Sequence, residues 1–357
     1  MILAPVISFP GLGIDELNPP QKLPFTILGK EIYLYGIIIA VGFLIAFYYA
    51  AKRAKEFGSN FDLLTDAVVF AVPLAIICAR AYYVVSRWEE VYASNPISAL
   101  YIWEGGIAIY GGVIGAALGL ILFSKIKKQK LTPYLDIMGL GLLIGQLIGR
   151  WGNFFNREAY GAEIFDNFFL RMGLSEGGLT RYWHPTFLYE SVWNLVGFVL
   201  LHFGSKKRKY DGQVFLWYVA WYGLGRAWIE GLRTDSLYLG STDIRTSQLL
   251  AVVSCVLSVA LLLYIRFVKK PDGSTMLVNA GAAGAAAESV CGDAEAFEEA
   301  GETDSVEEDT PEPVEEEIPK TDEAEAIPES EEEETSSPER DEIPEQQTKQ
   351  SADGELE

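Results

Sequence analysis

Residues able to do chemistry gather in one short stretch, Gly149-Arg150-Trp151-Gly152-Asn153-Phe154-Phe155-Asn156-Arg157-Glu158-Ala159-Tyr160-Gly161. Arg150 and Arg157 supply charge, Asn153 and Asn156 both donate and accept, and Glu158 accepts. The glycines, Gly161 included, let backbone approach a ligand or a neighbouring helix closely. The stretch follows an apolar run at 135–148, so the chain places a polar site at a membrane boundary.

A second set interrupts another apolar run. Arg226 and Glu230 stand four residues apart, share a helix face and can form an ion pair, with Arg233 about one turn further on. A charge at the centre of a spanning helix costs about 2.5–3.5 kcal/mol on insertion scales, so these groups need a reason to be there. One reason is a packing clamp between helices. The other is an anion site, because an unpaired guanidinium fork matches phosphate oxygens at two points.

Tyr110 lies between Gly105-Gly106 and Gly111-Gly112, which strip side chains from one helix face. It is either a hydrogen-bonded core tyrosine or a phenol projecting into a cavity left by closely packed helices. His184-Pro185 opens a further helix and is followed by Tyr189-Glu190; part of that pattern is helix grammar, and the histidine at the interface can titrate near neutral pH. Arg80 is either another buried anion-binding group or a snorkelling side chain. Asp136 reads as a helix cap or a partner for a helix dipole.

The elements that must hold these groups are apolar runs at 32–51, 63–85, 107–123, 135–148, 187–203, 214–229 and 249–267. Basic clusters follow the first, third, fifth and seventh. By the positive-inside rule those four ends are cytoplasmic, which puts the N-terminus outside and the C-terminus inside, an alternation an even number of spans would break. The expected fold is an all-α polytopic membrane protein of about seven transmembrane helices, with residues 31–270 as the catalytic domain. Segment 162–183 is too polar to span and makes a small extracytoplasmic cap. Residues 1–30, broken by prolines and without an early Lys or Arg, read as an extracytoplasmic interfacial arm rather than a leader.

The net charge of −21 is localised. Residues 271–357 hold 30 acidic and three basic side chains, which leaves 19 acidic and 25 basic in the body out of chain totals of 49 and 28. That acidic tail, poor in aromatics, is expected to be disordered, cytoplasmic and dispensable for chemistry. Cys78, Cys255 and Cys291 show no metal-ligand or redox spacing, and two histidines do not make a histidine-rich metal site.

The 149–161 stretch resembles the signature of the bacterial phosphatidylglycerol:prolipoprotein diacylglyceryl transferase family. Tyr35-Gly36, the glycine pairs around Tyr110, Asp136, His184-Pro185 with Tyr189-Glu190, and Arg226, Glu230 and Arg233 fall in that family's order, over about residues 20–268. The resemblance implies transfer of the diacylglyceryl group of phosphatidylglycerol to the lipobox cysteine of a preprolipoprotein, forming a thioether and releasing glycerol phosphate. It implies a multi-pass protein of the bacterial cytoplasmic membrane with no metal and no organic cofactor. Its partners would be phosphatidylglycerol, lipobox signal peptides and membrane lipid, not nucleic acid. Carried over, Arg150 binds the headgroup with Asn153, Asn156, Glu158 and Gly161 shaping its pocket, Arg226 is a second essential arginine ordered by Glu230 and Arg233, and Tyr35 lines the cavity with His184 nearby. Many members have histidine, often assigned as the thiol base, where this chain has Tyr110. A phenol of ordinary pKa near 10 keeps its proton at neutral pH, which favours hydrogen bonding over base chemistry. The rival class is a seven-helix transporter or channel for an anionic solute, which would favour internal repeats and matched broken helices; the sequence shows neither.

Overall fold

The structure is a computed structural model that describes residues 5–27, 30–234, 238 and 244–279. Expectations for the rest of the acidic tail and for Cys291 lie outside the described residues.

Long helices fill the apolar runs: α1 (Leu34–Arg53), α2 (Phe61–Ser86), α3 (Ile109–Ile126), α4 (Leu131–Asn156), α5 (Thr186–Ser205), α6 (Gln213–Ile229) and α7 (Thr246–Tyr264), the last continued by a π turn at Ile265–Lys269. Six of them are long and apolar enough to cross a bilayer; α6, with 17 residues and Arg226 in its last turn, falls outside that set. Large apolar side chains such as Leu44, Val69, Ile77, Leu200, Val256 and Leu257 stay exposed along these helices. A hydrocarbon solvent accepts such a surface and water does not. The chain is a mostly helical polytopic membrane protein.

It is not all-α. Two strands of the N-terminal arm, β1 (Val6–Phe9) and β2 (Ile14–Leu17), join β5 (Met172–Glu176) and β6 (Leu179–Trp183) in one antiparallel sheet of order β2-β1-β5-β6. Strands β3 (Lys22–Ile27) and β4 (Lys30–Tyr33) form a hairpin that runs straight into α1. The arm is therefore built into the cap. Ile7, Phe9 and Met172 meet Phe187 at the start of α5 in a shared apolar core. Arg157, in the left-handed region at φ 56°, locks this joint by donating from Nε to Pro5 O at 2.6 Å and from Nη2 to Asn18 Oδ1 and Pro19 O at 2.9 Å.

Small residues set the helix spacing. Gly111, Gly115 and Gly119 recur every four residues on α3, and a methyl at each would stand 2.2–2.4 Å from a carbonyl oxygen of α2 (Cys78, Leu74, Phe70). This is close backbone packing of the small-residue kind common in membranes. Between α5 and α6, Trp193 and Trp221 stack at 4.4 Å. Each indole N–H donates to the other's backbone carbonyl, at 3.1 and 3.0 Å. Gly197 and Gly225 leave the room, since a methyl at either would lie 2.2 Å from the opposing indole nitrogen.

Asp136 caps a helix, but not its own. From the second turn of α4 it accepts N–H bonds from Gly212 at 2.8 Å and Phe215 at 2.7 Å, closing the N-terminus of α6. Arg80 is neither an anion site nor a snorkel. Its guanidinium is buried and donates to the carbonyls of Ser98, Ala99, Tyr101, Gly105 and Gly106, fixing the loop that leads into α3.

The chain also stays docked beyond position 270. Leu277 N donates to Asp211 Oδ2 at 2.8 Å and Lys130 Nζ to Thr275 O at 3.3 Å. Leu277 and Val278 lie so close to Gly58 that a methyl there would sit 2.7 Å from Val278 N. Residues 271–279 thus touch the α1–α2, α3–α4 and α5–α6 connections, at the end of the helices away from the sheet.

Candidate active site

The apolar run ending at Ile148 does not stop there; α4 continues to Asn156 and ends when Arg157 turns left-handed. The polar motif is therefore largely helical. Arg150, Asn153 and Asn156, three residues apart, fall along one side of the last turns of α4. Arg150 Nη1 donates to Asn153 Oδ1 at 3.1 Å, Asn153 Nδ2 to Glu158 Oε1 at 3.0 Å, and Asn156 Nδ2 reaches the same oxygen at 3.4 Å. Arg150, Asn153, Asn156 and Glu158 form one connected set.

The hub of the site is a residue whose role its place in the sequence does not reveal. Glu190, in the second turn of α5, is 4 % exposed and takes three arginines from two other segments. Its Oε2 lies 2.7 Å from Arg150 Nη2, and its Oε1 lies 2.9 Å from Arg226 Nη1 and 3.5 Å from Arg233 Nη1. Arg226 Nη2 meets Glu230 Oε2 at 2.5 Å, so the i,i+4 pair expected from spacing is present. Both ends of the Arg226 fork are engaged, which is the clamp geometry rather than an unpaired fork. Arg233 reaches Glu190 from an extended residue beyond α6, after the 3-10 turn Glu230–Leu232, not from the same helical face. Among the described residues three guanidinium groups meet Glu190 and Glu230, and a fourth, that of Arg245, donates to the Glu230 carbonyl. Of the arginine side chains, that of Arg150 is the most accessible, 21 % exposed against 15 % for Arg226 and 10 % for Arg233. The arrangement is a part-buried cationic well suited to an anion.

The remaining expected residues stand around this cluster. The ring of Tyr35 lies on the Gly152 backbone, where a methyl would be 2.7 Å from Tyr35 Cδ2, so α1 walls the motif between Arg150 and Asn153. Gly161 acts as a junction. Its N–H donates to His184 O at 2.8 Å, the next residue donates to Leu232 O at 2.6 Å, and a methyl on Gly161 would lie 2.7 Å from His184 Cβ. Through it the chain after α4 is tied to the start of α5 and the end of α6. His184 Nδ1 stands 3.2 Å from the Tyr189 hydroxyl, and burial pushes the imidazole below its ordinary pKa, with Asp166 opposing. Tyr110 is half-buried on α3, its hydroxyl 3.3 Å from Ser247 Oγ at the start of α7. Its described polar contact is therefore with α7, and its hydroxyl is not joined to the arginine cluster by any described contact.

Helices mostly clad in apolar side chains, converging on a buried cluster of arginines held by carboxylates, define a membrane-embedded protein that handles an anionic group. Comparison with known proteins narrows that class. A profile described as "Prolipoprotein diacylglyceryl transferase" matches residues 22–264. Over 253 residues the chain is 43 % identical to the phosphatidylglycerol–prolipoprotein diacylglyceryl transferase of Clostridium novyi, covering 69 % of this chain and 95 % of that protein. It is 43 % identical over 256 residues to the protein of the same name from Geobacillus kaustophilus (70 % and 94 % covered), and 41 % over 264 residues to that of Lysinibacillus sphaericus (72 % and 95 %). The chain belongs to the prolipoprotein diacylglyceryl transferase family, which decides against the transporter or channel reading.

Proposed function

We propose that this protein is the transferase its family name describes: it moves the diacylglyceryl group of phosphatidylglycerol to a prolipoprotein cysteine thiol. The bond between the glyceryl carbon and the phosphate oxygen breaks, the sulfur–carbon bond forms, glycerol phosphate leaves, and the thiol proton ends on the phosphate or in water. Displacement at a saturated carbon needs the thiolate in line and the growing charge on the leaving phosphate stabilised. The observation that carries the reading is the meeting of Arg150, Arg226 and Arg233 on Glu190 inside a chain of this family.

Arg150, the most accessible of the three, contacts the lipid phosphate, with Asn153, Asn156 and Glu158 orienting it. Arg226, held by Glu190 and Glu230, stabilises the departing phosphate. Tyr35 and Gly152 form the wall against which the lipid glyceryl lies. Gly161 and His184 position these parts rather than touch the headgroup, and Tyr110 orients substrate by hydrogen bonding. The thiol comes from a lipobox signal peptide, and the protein sits in the bacterial cytoplasmic membrane.

Seven spans fit the connectivity better than six. α1 leaves the strand end, α4 returns to it, α5 leaves again from β6, and the end of α6 bonds back to residue 162. The start of α7 then meets Tyr110 at the start of α3. Such alternation supports the reading that α6 also crosses, with the sheet and the arginine cluster on the outer side and the C-terminal end inside, in accord with the basic clusters.

The test is incubation of the purified protein with phosphatidylglycerol and a lipobox peptide, followed by mass spectrometry. The expected product is the peptide heavier by one diacylglyceryl group, dependent on the cysteine. An unmodified peptide with a well-folded enzyme rejects the proposal.

A further inference from the structure

The arginine forks of the cluster are occupied by carboxylates. Glu190 presents one oxygen to Arg150 and the other to Arg226 and Arg233, the pattern that two oxygens of a phosphate would make. We propose that Glu190 is an internal stand-in for the phosphate: a positioning residue that holds the arginines together between turnovers and competes with glycerol phosphate for them, so driving product release. This rests on the transferase reading above.

Three observations support it. A phosphate can take these guanidinium donors only by displacing the carboxylate that already holds them, so Glu190 and an anionic ligand compete for the same groups. The cluster already has one dedicated structural carboxylate: Glu230 is 2 % exposed and belongs to Arg226 through an i,i+4 pair. Glu190 is different because it is shared, reaching the accessible Arg150 on α4 as well as Arg226 and Arg233. Its neighbour is fixed independently, since Ser191 Oγ donates to Leu147 O at 3.0 Å and receives the Trp151 indole N–H at 3.2 Å. The α4–α5 contact therefore does not depend on the Glu190 charge, and the carboxylate can let go of Arg150 without the helices parting. The product, a phosphate monoester carrying more negative charge than the lipid's phosphodiester, would otherwise remain trapped in a site built to stabilise it.

The test compares wild type, Glu190→Gln and Glu190→Asp for inhibition by glycerol phosphate, for KM toward phosphatidylglycerol and for kcat. With the competing carboxylate gone, Glu190→Gln should bind glycerol phosphate at least about tenfold more tightly, on the scale of one exchanged hydrogen bond to a charged group. Its KM should fall with it and its kcat should drop as release slows. Glu190→Asp, which keeps the charge on a shorter arm, should lie between the two. Uncharged glycerol should inhibit none of them differently. A purely structural Glu190 would raise KM and weaken inhibition together, and that result, or an unchanged inhibition constant, overturns the proposal. If neither variant folds, the carboxylate is required for folding and the proposal is likewise overturned. An inactive wild type would reject the transferase reading instead, so the two failures are distinguishable.

Discussion

Replacing Gly225 by alanine tests whether the Trp193–Trp221 pair sets the register that brings Glu190 to Arg226. A methyl at 225 would stand 2.2 Å from Trp193 Nε1 and 2.4 Å from its Cδ1, well inside contact distance. The indole has little freedom to retreat, because it stacks on Trp221 and donates to Trp221 O at 3.1 Å. Overpacking of this kind costs about 1–3 kcal/mol and a lost hydrogen bond about 1 kcal/mol more, offset by the roughly 1 kcal/mol alanine gains over glycine in a helix. The net is about 1–3 kcal/mol, or roughly 2–5 °C in thermal unfolding for a chain of this size. Activity should suffer more than stability, since Arg226 is the next residue and a displacement near 1 Å can cost on the order of a hundredfold in rate. Gly145→Ala is the control: nothing lies within 4 Å of where its methyl would go, so it should be neutral or slightly stabilising. Thermal unfolding and turnover in detergent read both. Equal effects from the two substitutions would refute the reasoning, whereas recovery of Gly225→Ala by Trp193→Phe, which removes the nearest atom, would support it.

Arg150→Lys should fail nearly as badly as Arg150→Ala, because an ammonium cannot reach Asn153 and Glu190 while also facing a phosphate; near-normal turnover by the lysine variant would show that charge alone suffices. If Tyr110 orients substrate by a hydrogen bond to the charged lipid phosphate and is not the thiol base, Tyr110→Phe should lose roughly ten- to a hundredfold in activity, and Tyr110→His should retain activity. A loss beyond about a thousandfold in Tyr110→Phe with a dead but folded Tyr110→His would make the phenol the thiol base. Ending the chain after Asn279 should leave unfolding and turnover unchanged, while ending it after Lys270 should lower the unfolding temperature by several degrees, because Asp211 and Lys130 lose Leu277 and Thr275; equal behaviour of the two truncations would count against the clasp. Burial holds the His184 pKa below its ordinary value, so the unfolded chain takes up the proton first and the contribution of this residue to stability falls as pH drops through about 6.5. The loss in unfolding temperature between pH 7.5 and 5.5 (chosen as roughly one unit either side) should be smaller in His184→Gln, and an identical slope would exclude the histidine.

Much of the bundle was legible because apolar runs of spanning length are a local signal. The expected runs and the helices coincide within a few residues, apart from α4, which continues through the polar motif to Asn156. A helix can carry Arg150, Asn153 and Asn156 when they share one side, and the motif's glycines and arginines hid that continuity. The sheet was not legible. Val6 pairs with Ser175, and nothing in either short strand announces a partner so distant in sequence. The sequence leaves Arg80 as an anion-binding or snorkelling group and Asp136 as a helix cap or dipole partner, but their partners are the backbone carbonyls of one loop and the N-terminus of another helix, which only the fold brings near. The site divides in the same way. The Arg226–Glu230 pair follows from i,i+4 spacing. Glu190 looked like part of a helix start, although a glutamate in an apolar helix, remote from any basic residue in sequence, was itself a signal that an arginine must reach it from elsewhere.

The most direct measurement of the central claim is the stoichiometry of release. Wild type and Arg150→Ala, both shown to be folded, are given phosphatidylglycerol with a lipobox peptide or with its cysteine-to-serine counterpart, and glycerol phosphate and thioether peptide are quantified together. The expected result is one glycerol phosphate per thioether from wild type, none with the serine peptide, and a rate lowered by orders of magnitude in Arg150→Ala. Release of glycerol phosphate without the thiol, or normal coupled turnover in Arg150→Ala, would contradict the assignment of the arginine cluster to this transfer.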